Sequence, residues 1–240
     1  MIRTQEEMHR MSDTPKNCII FFVKDPVKGA VKRRLAADLN ETIAVELYRI
    51  FILDMLATLD TCEAQCLICV YPESALEKVK KWLGPLYHYL PQEGKDLGER
   101  MKDCFIEAFS MKCKNVILIG SDIPDLPLVI IKAAFRMFET HDAVVGPAHD
   151  GGYYLIGFRN DTFVPEVFDK MKWGGETVLR STLNRLKKRG CRVHLLPAWS
   201  DVDTLADVMA LLQRNTAAVG ACPKTISYLK TASIDAKSSG

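Results

Sequence analysis

Residues 116–119 (Val-Ile-Leu-Ile) are apolar without a break, and the chain then passes directly into Gly120-Ser121-Asp122-Ile123-Pro124-Asp125. A half-exposed strand alternates apolar and polar side chains, so an unbroken run predicts a strand covered on both faces. Strands of that kind build open α/β sheets, in which ligands bind beyond the strands' carboxyl ends. Asp122 stands where a carboxylate reaches such a ligand. Its chemistry suits a hard cation, Mg²⁺ or Mn²⁺, shared with phosphate oxygens. Asp125 reads as the N-cap of the following helix, expected from Asp125 to His141.

The same theme recurs along the chain. Further strands are expected at Cys18–Val23, Leu67–Tyr71, Tyr87–Leu90, Ala143–Val145, Tyr153–Phe158 and Arg192–Leu196. Apolar residues at helical spacing (Ile43, Leu47, Ile50, Phe51, Met55, Leu59) predict a helix over Thr42–Leu59. Others are expected up to Trp82 before Gly84-Pro85, over Leu97–Met111, over Glu176–Arg189 and over Asp203–Gln213. Strands alternating with helices predict an α/β fold, a Rossmann-like three-layer α/β/α sandwich with a mostly parallel sheet. Residues 1–16 read as a polar leader, 17–214 as one domain, and 215–240 as a small, polar tail expected to be disordered in part.

With 48% hydrophobic residues in 240, the chain can bury one sizeable core. A formal charge of +2 offers no general attraction to nucleic acid or membrane, so neither is expected as a partner. The eight cysteines are scattered through apparent core elements. Cys62, Cys66 and Cys69 approach a metal spacing but fall at a helix end and along a strand, so they read as buried thiols. No segment resembles a signal peptide or reaches the length of a bilayer span, and a reduced cytoplasmic setting is expected.

Four stretches can carry chemistry. Lys24-Asp25-Pro26-Val27-Lys28-Gly29-Ala30-Val31-Lys32-Arg33-Arg34 places five cations in eleven residues after a buried strand. Such a loop can surround phosphates with N–H groups and cations, although it is neither a P-loop nor a dinucleotide fingerprint. Lys24, Lys32 and Arg33, with the turn at Gly29, are the phosphate candidates, while Lys28 and Arg34 can simply face water. Asp150-Gly151-Gly152-Tyr153 follows a strand; its glycines permit close backbone approach to a ligand. Asp150 can hold a sugar-like hydroxyl or act as a general base, while the same residues can equally make an ordinary turn. Asp203, in Ser200-Asp201-Val202-Asp203-Thr204-Leu205-Ala206-Asp207, can join Asp122 on a cation or cap the last helix. Gln92-Glu93-Gly94-Lys95-Asp96-Leu97-Gly98-Glu99-Arg100 reads as a helix cap at Asp96.

Taken together, these motifs resemble a known bacterial family. They are K-x-P-x-x-G-x-V-K-x-R-L, Q-x-x-x-D-L-G-E-R, G-S-D-x-P-D-L, G-P-A-x-D-G-G-Y-Y-L-I-G, a Trp-Gly segment and D-V-D-T-x-x-D. The family is the nucleotide-diphospho-sugar transferase type once grouped as a domain of unknown function, associated with radical-SAM and selenium-type gene contexts. The resemblance spans about residues 17–212. It implies a glycosyltransferase-A fold related to the molybdopterin and phospholactate guanylyltransferases. It also implies Asp122 as metal ligand and, by similarity of the Val-Asp-Thr stretch to sugar-acid cytidylyltransferases, Asp203 as the second ligand in preference to Asp201 or Asp207. Asp96 and Gly98 would border base or ribose, and Asp150, Gly151, Gly152, Tyr153 and Trp173 the sugar or acceptor. Two positions depart from the family: Arg33 stands where a threonine is usual, and Trp173-Gly174-Gly175 lacks the usual hydroxyl.

The expected function is metal-dependent transfer from a nucleotide-activated sugar to a small-molecule acceptor, with Asp122 and Asp150 as catalytic residues and Mg²⁺ or Mn²⁺ as cofactor. Two alternatives stay open. One is nucleotidyl transfer, in which a phosphate or carboxylate acceptor attacks a nucleoside triphosphate. The other is a catalytically silent nucleotide-binding module. A homodimer is also left open.

Overall fold

In the computed structural model, which describes residues 17–215 and 222–232, the apolar runs pair into one seven-stranded sheet. Its strands are β1 (Asn17–Lys24), β2 (Gln65–Tyr71), β3 (His88–Pro91), β4 (Asn115–Gly120), β5 (Ala143–Pro147), β6 (Tyr153–Arg159) and β7 (Val193–Leu195). They lie in the order β3-β2-β1-β4-β6-β5-β7. Among the described residues β6 alone runs against its neighbours, β4 and β5, and the other pairings are parallel. The helices are α1 (Arg33–Asp38), α2 (Glu41–Leu59), α3 (Leu76–Leu83), α4 (Leu97–Ser110), α5 (Leu128–Met137), α6 (Val178–Lys188), α7 (Leu205–Arg214) and α8 (Pro223–Thr231).

β1 explains why its sequence is apolar throughout. Ile19, Phe21 and Val23 enter one core with Tyr48, Ile52 and Met55 of α2, Val79 of α3 and Ile131 of α5. Cys18 and Ile20 enter the opposite core with Met101 and Phe105 of α4 and Leu186 of α6. Each large apolar side chain removed from water contributes about 1.5–3 kcal/mol, so both faces hold the strand. The chain leaves β1 for β2 and β3 on one side and returns to β4 on the other. The crevice between the ends of β1 and β4 is therefore a topological switch point.

A third cluster joins Leu35 of α1, Leu47 and Phe51 of α2, Val208 and Leu211 of α7 and Leu229 of α8. The tail expected from residue 215 thus holds a helix among its described residues. The leader 1–16 and the remainder of the tail lie outside the described residues. Asp54, buried on α2, secures α8 from outside that helix. Its carboxylate accepts from Thr225 N and Thr225 Oγ1, each at 2.7 Å, and from Lys224 N at 3.2 Å. The two backbone donors are N–H groups of a helix's first turn, which have no partner within the helix.

Several boundaries differ from expectation. Asp125 caps no helix: α5 starts at Leu128, with Pro127 at its N-cap. Instead Asp125 is buried and accepts from Trp199 Nε1 (3.1 Å), Arg214 Nε (2.5 Å) and Nη2 (3.0 Å), and Asn215 Nδ2 (3.0 Å). A carboxylate that deep requires a cation and full hydrogen bonding, and the end of α7 supplies both. The last long helix starts at Leu205, not Asp203, because Thr204 and Asp207 form a capping box. The short helix α1 was not anticipated within its cationic run. All eight cysteines are free thiols; Cys62 and Cys69 are buried as expected, whereas Cys66, like Cys191, is half-buried. No helix among the described residues is long and apolar enough to cross a membrane.

Asp54→Ala leaves the first turn of α8 without its acceptor and should lower stability by about 1–3 kcal/mol. A urea titration reads this as a lower midpoint.

Candidate active site

Three loops meet where β1 and β4 end. The Tyr48 hydroxyl, buried on α2, accepts from Lys24 N at 2.9 Å and lies 2.8 Å from Ser121 Oγ. It thereby fixes the residue that ends β1 and the residue before Asp122. Val202 N donates to Asp122 O at 2.9 Å, which brings the loop after β7 alongside. A cavity of about 340 Å³ opens there. Lys24, Arg100, Asp122, Asp150 and Asp201 supply its charges, and Phe22, Leu97, Met101, Leu118, Tyr153 and Trp173 supply apolar wall.

Of the residues expected to act, Lys24, Asp122, Asp150, Gly152, Tyr153 and Trp173 line this cavity. Asp150 is exposed, and its Oδ1 accepts from Gly152 N at 2.9 Å, an Asx turn that fixes the carboxylate's direction. Gly151 and Gly98 are not lining residues. Gly151 has φ +88°, and a Cβ there would lie 2.4 Å from Glu176 O; the glycine lets two backbones touch. A Cβ on Gly98 would lie 2.5 Å from Phe168 O and 2.8 Å from the Trp173 ring. Gly98 therefore seats the indole on α4. Asp96 is the N-cap of α4, accepting from Glu99 N at 2.9 Å. Gly29 and Arg33 are exposed, away from the cavity lining.

Lys32 departs furthest from expectation. Its backbone is left-handed (φ 47°, ψ 41°), a conformation a lysine adopts at a cost of order 1–3 kcal/mol. The side chain, 2% exposed, turns inward. Its Nζ forms an ion pair with Asp122 Oδ1, lies 2.9 Å from Asp203 Oδ1 and donates to Val202 O at 2.7 Å. The rings of Tyr48 and Phe51 stand 5.9 and 5.7 Å away. An ammonium has three protons, and all three have acceptors. No donor is left for a phosphate oxygen.

Two residues were given no role by sequence reasoning. Arg100 lies one helical turn beyond Asp96, stacks on Tyr71 at 4.2 Å and donates from Nε to Asp96 O at 3.2 Å. Its spacing from Asp96 along α4 was the available signal. Asp201 lines the cavity, whereas Asp203 faces Lys32. Burial, then the facing carboxylates of Asp122, Asp150 and Asp203, push the Asp201 carboxyl up to about 7. Asp203 goes the other way: burial raises it, but the Lys32 ammonium outweighs burial and leaves it below the ordinary carboxylate range. The donors fronting the cavity are carboxylate oxygens, which fit Mg²⁺ or Mn²⁺. Among the described residues no group of three or more His, Cys, Asp or Glu is placed to hold a metal ion, so an ion held here would need oxygens from phosphate and water as well.

An open, mostly parallel α/β sheet with a cleft at its switch point is a Rossmann-like arrangement. A model of a bacterial family described as "uncharacterized protein conserved in bacteria" (DUF2064) matches residues 53–175. A crystal structure from Desulfovibrio desulfuricans G20, provisionally named a nucleotide-diphospho-sugar transferase, is 41% identical with a TM-score of 0.87. That match covers 92% of this chain and 97% of the other. The chain belongs to this family. A cytidylyltransferase from Leptospira borgpetersenii (TM-score 0.56, 13% identity, 91% and 96% coverage) is similar in fold. So is a CMP:2-keto-3-deoxy-manno-octonic acid synthetase complexed with CTP (TM-score 0.51, 10% identity, 83% and 99% coverage). No curated protein matches the chain.

The Asp201 shift carries a stability consequence. The folded chain holds this proton up to about pH 7, whereas an unfolded chain releases it near pH 4. Between those values the folded state binds more protons, so stability falls as pH rises through the window. Asp201→Asn should raise Tm at pH 8 and change it little at about pH 3.5, below both values, as read by calorimetry at the two pH values.

Proposed function

We propose that the protein is a metal-dependent transferase that moves a sugar from a nucleoside-diphosphate donor to a small-molecule acceptor. The observation that carries this reading is the convergence of Lys24 and Arg100 with Asp122, Asp150 and Asp201 around one cavity at the switch point. Lys24 and the free nitrogens of Arg100 hold phosphate oxygens, Arg100 being pre-set by its stacking on Tyr71. Asp122 holds Mg²⁺ or Mn²⁺, which when bound offsets charge on the departing diphosphate. Asp150, fixed by its turn, accepts a hydrogen bond from an acceptor hydroxyl and takes its proton. The aromatic wall of Tyr153 and Trp173 suits the apolar face of a sugar ring. The likeness to a relative provisionally named for such donors supports the reading.

A second reading, nucleotidyl transfer, is favoured by the similarity in fold to cytidylyltransferases, one of them bound to CTP. The products separate the two, since glycosyl transfer releases a nucleoside diphosphate and nucleotidyl transfer releases pyrophosphate. A binding module without turnover would release neither.

A thermal-shift panel of UDP-, GDP-, ADP- and CMP-sugars and the four triphosphates, with and without Mn²⁺, should give a metal-dependent rise in Tm for one donor class. Turnover of that donor should fall about a hundredfold or more in Asp122→Asn. Normal turnover by this variant excludes Asp122 from the role, and release of pyrophosphate replaces the first reading with the second.

A further inference from the structure

The two carboxylates expected to share a divalent ion already share a cation. Lys32 Nζ pairs with both Asp122 Oδ1 and Asp203 Oδ1, the two oxygens a bridging metal would need. Metal–oxygen distances of about 2.0–2.6 Å to both oxygens would put a divalent ion against the ammonium. The lysine is enclosed by Val202 O and by the Tyr48 and Phe51 rings, and its left-handed backbone aims it there. Asp122 engages it through Oδ1, while Oδ2 has no hydrogen-bond partner among the described residues and the side chain remains 43% exposed at the cavity.

We propose that Lys32 is a resident counter-cation that Asp203 holds in place, and that Asp203 is therefore a positioning residue and not a metal ligand. Lys32 sets the direction of Asp122, so that its free oxygen is presented to the cavity. The divalent ion meets Asp122 from the cavity side, together with phosphate oxygens, and leaves the lysine where it is. This rests on the reading of Asp122 as a cation ligand, yet it is tested without nucleotide or turnover, so its failure is distinguishable from failure of the proposed activity.

Two measurements on the full chain decide it. In the first, Mn²⁺ alone is titrated and the free ion is followed by electron paramagnetic resonance. The wild type and Asp203→Asn should bind Mn²⁺ weakly and equally. Lys32→Met, which leaves two converging carboxylates without their cation, should bind Mn²⁺ about tenfold tighter or more. Adding Asp203→Asn to Lys32→Met should abolish that gain. No gain in Lys32→Met, or a tenfold loss in Asp203→Asn alone, overturns the proposal. The second measurement needs no lysine variant and holds even where Lys32→Met does not fold. Nitrogen-detected spectra of ¹⁵N-lysine protein should contain one ammonium signal protected from water. That signal should persist in saturating Mg²⁺ and vanish in Asp203→Asn. Its loss when Mg²⁺ is added to the wild type means that the ion displaces Lys32, and also overturns the proposal.

Discussion

β1 is desolvated on both faces and paired along both edges, and the rest of the molecule is arranged around that fact. Its neighbours β2 and β4 satisfy the backbone on either side, and α2 and α4 cover the alternate side chains. A strand so placed leaves its carboxyl end as its free terminus, and the chain must then leave in one direction and come back from the other. The cleft follows from that reversal. The same helix α2 that covers β1 carries Tyr48, whose one hydroxyl anchors the ends of both central strands. Core packing and site geometry are thus set by one helix.

The charge pattern within the cleft is uneven in a useful way. Beside the cavity, Lys32 neutralises Asp122 and Asp203 and is itself flanked by aromatic rings. At the cavity opening, Asp150 and Asp201 form no ion pair among the described residues, and burial, then the neighbouring carboxylates, keep the proton on Asp201 toward neutral pH. A ligand that brings its own positive charge relieves that opening, whereas a bare anion depends on Lys24 and Arg100.

What could be read in the sequence was what is local. The strands were legible because burial on both faces leaves no polar residue to interrupt them, and Asp96 was legible as a cap because its partner, Glu99, is three residues away. Asp125 was not, since its partners Arg214 and Asn215 lie 89 and 90 residues further on. The inward turn of Lys32 was hidden for another reason. A basic run looks solvated, and only a left-handed backbone at one position reverses the direction of one side chain. Gly151 reads as an approach for a ligand and the resemblance sets Gly98 beside base or ribose, but the space left by each missing Cβ is filled, by the Glu176 backbone at Gly151 and by Phe168 O and the Trp173 ring at Gly98. Asp201 and Asp203, two residues apart, are divided between cavity and lysine by the path of one loop.

The two borders of the sheet bear on how copies of this chain can meet. Among the described residues the borders are β3, four residues ending at Pro91, and β7, three residues long. Strands this short offer few free N–H and C=O groups to an incoming chain, and a proline at the end of one removes a donor. Growth of the sheet from molecule to molecule is thereby discouraged at both borders.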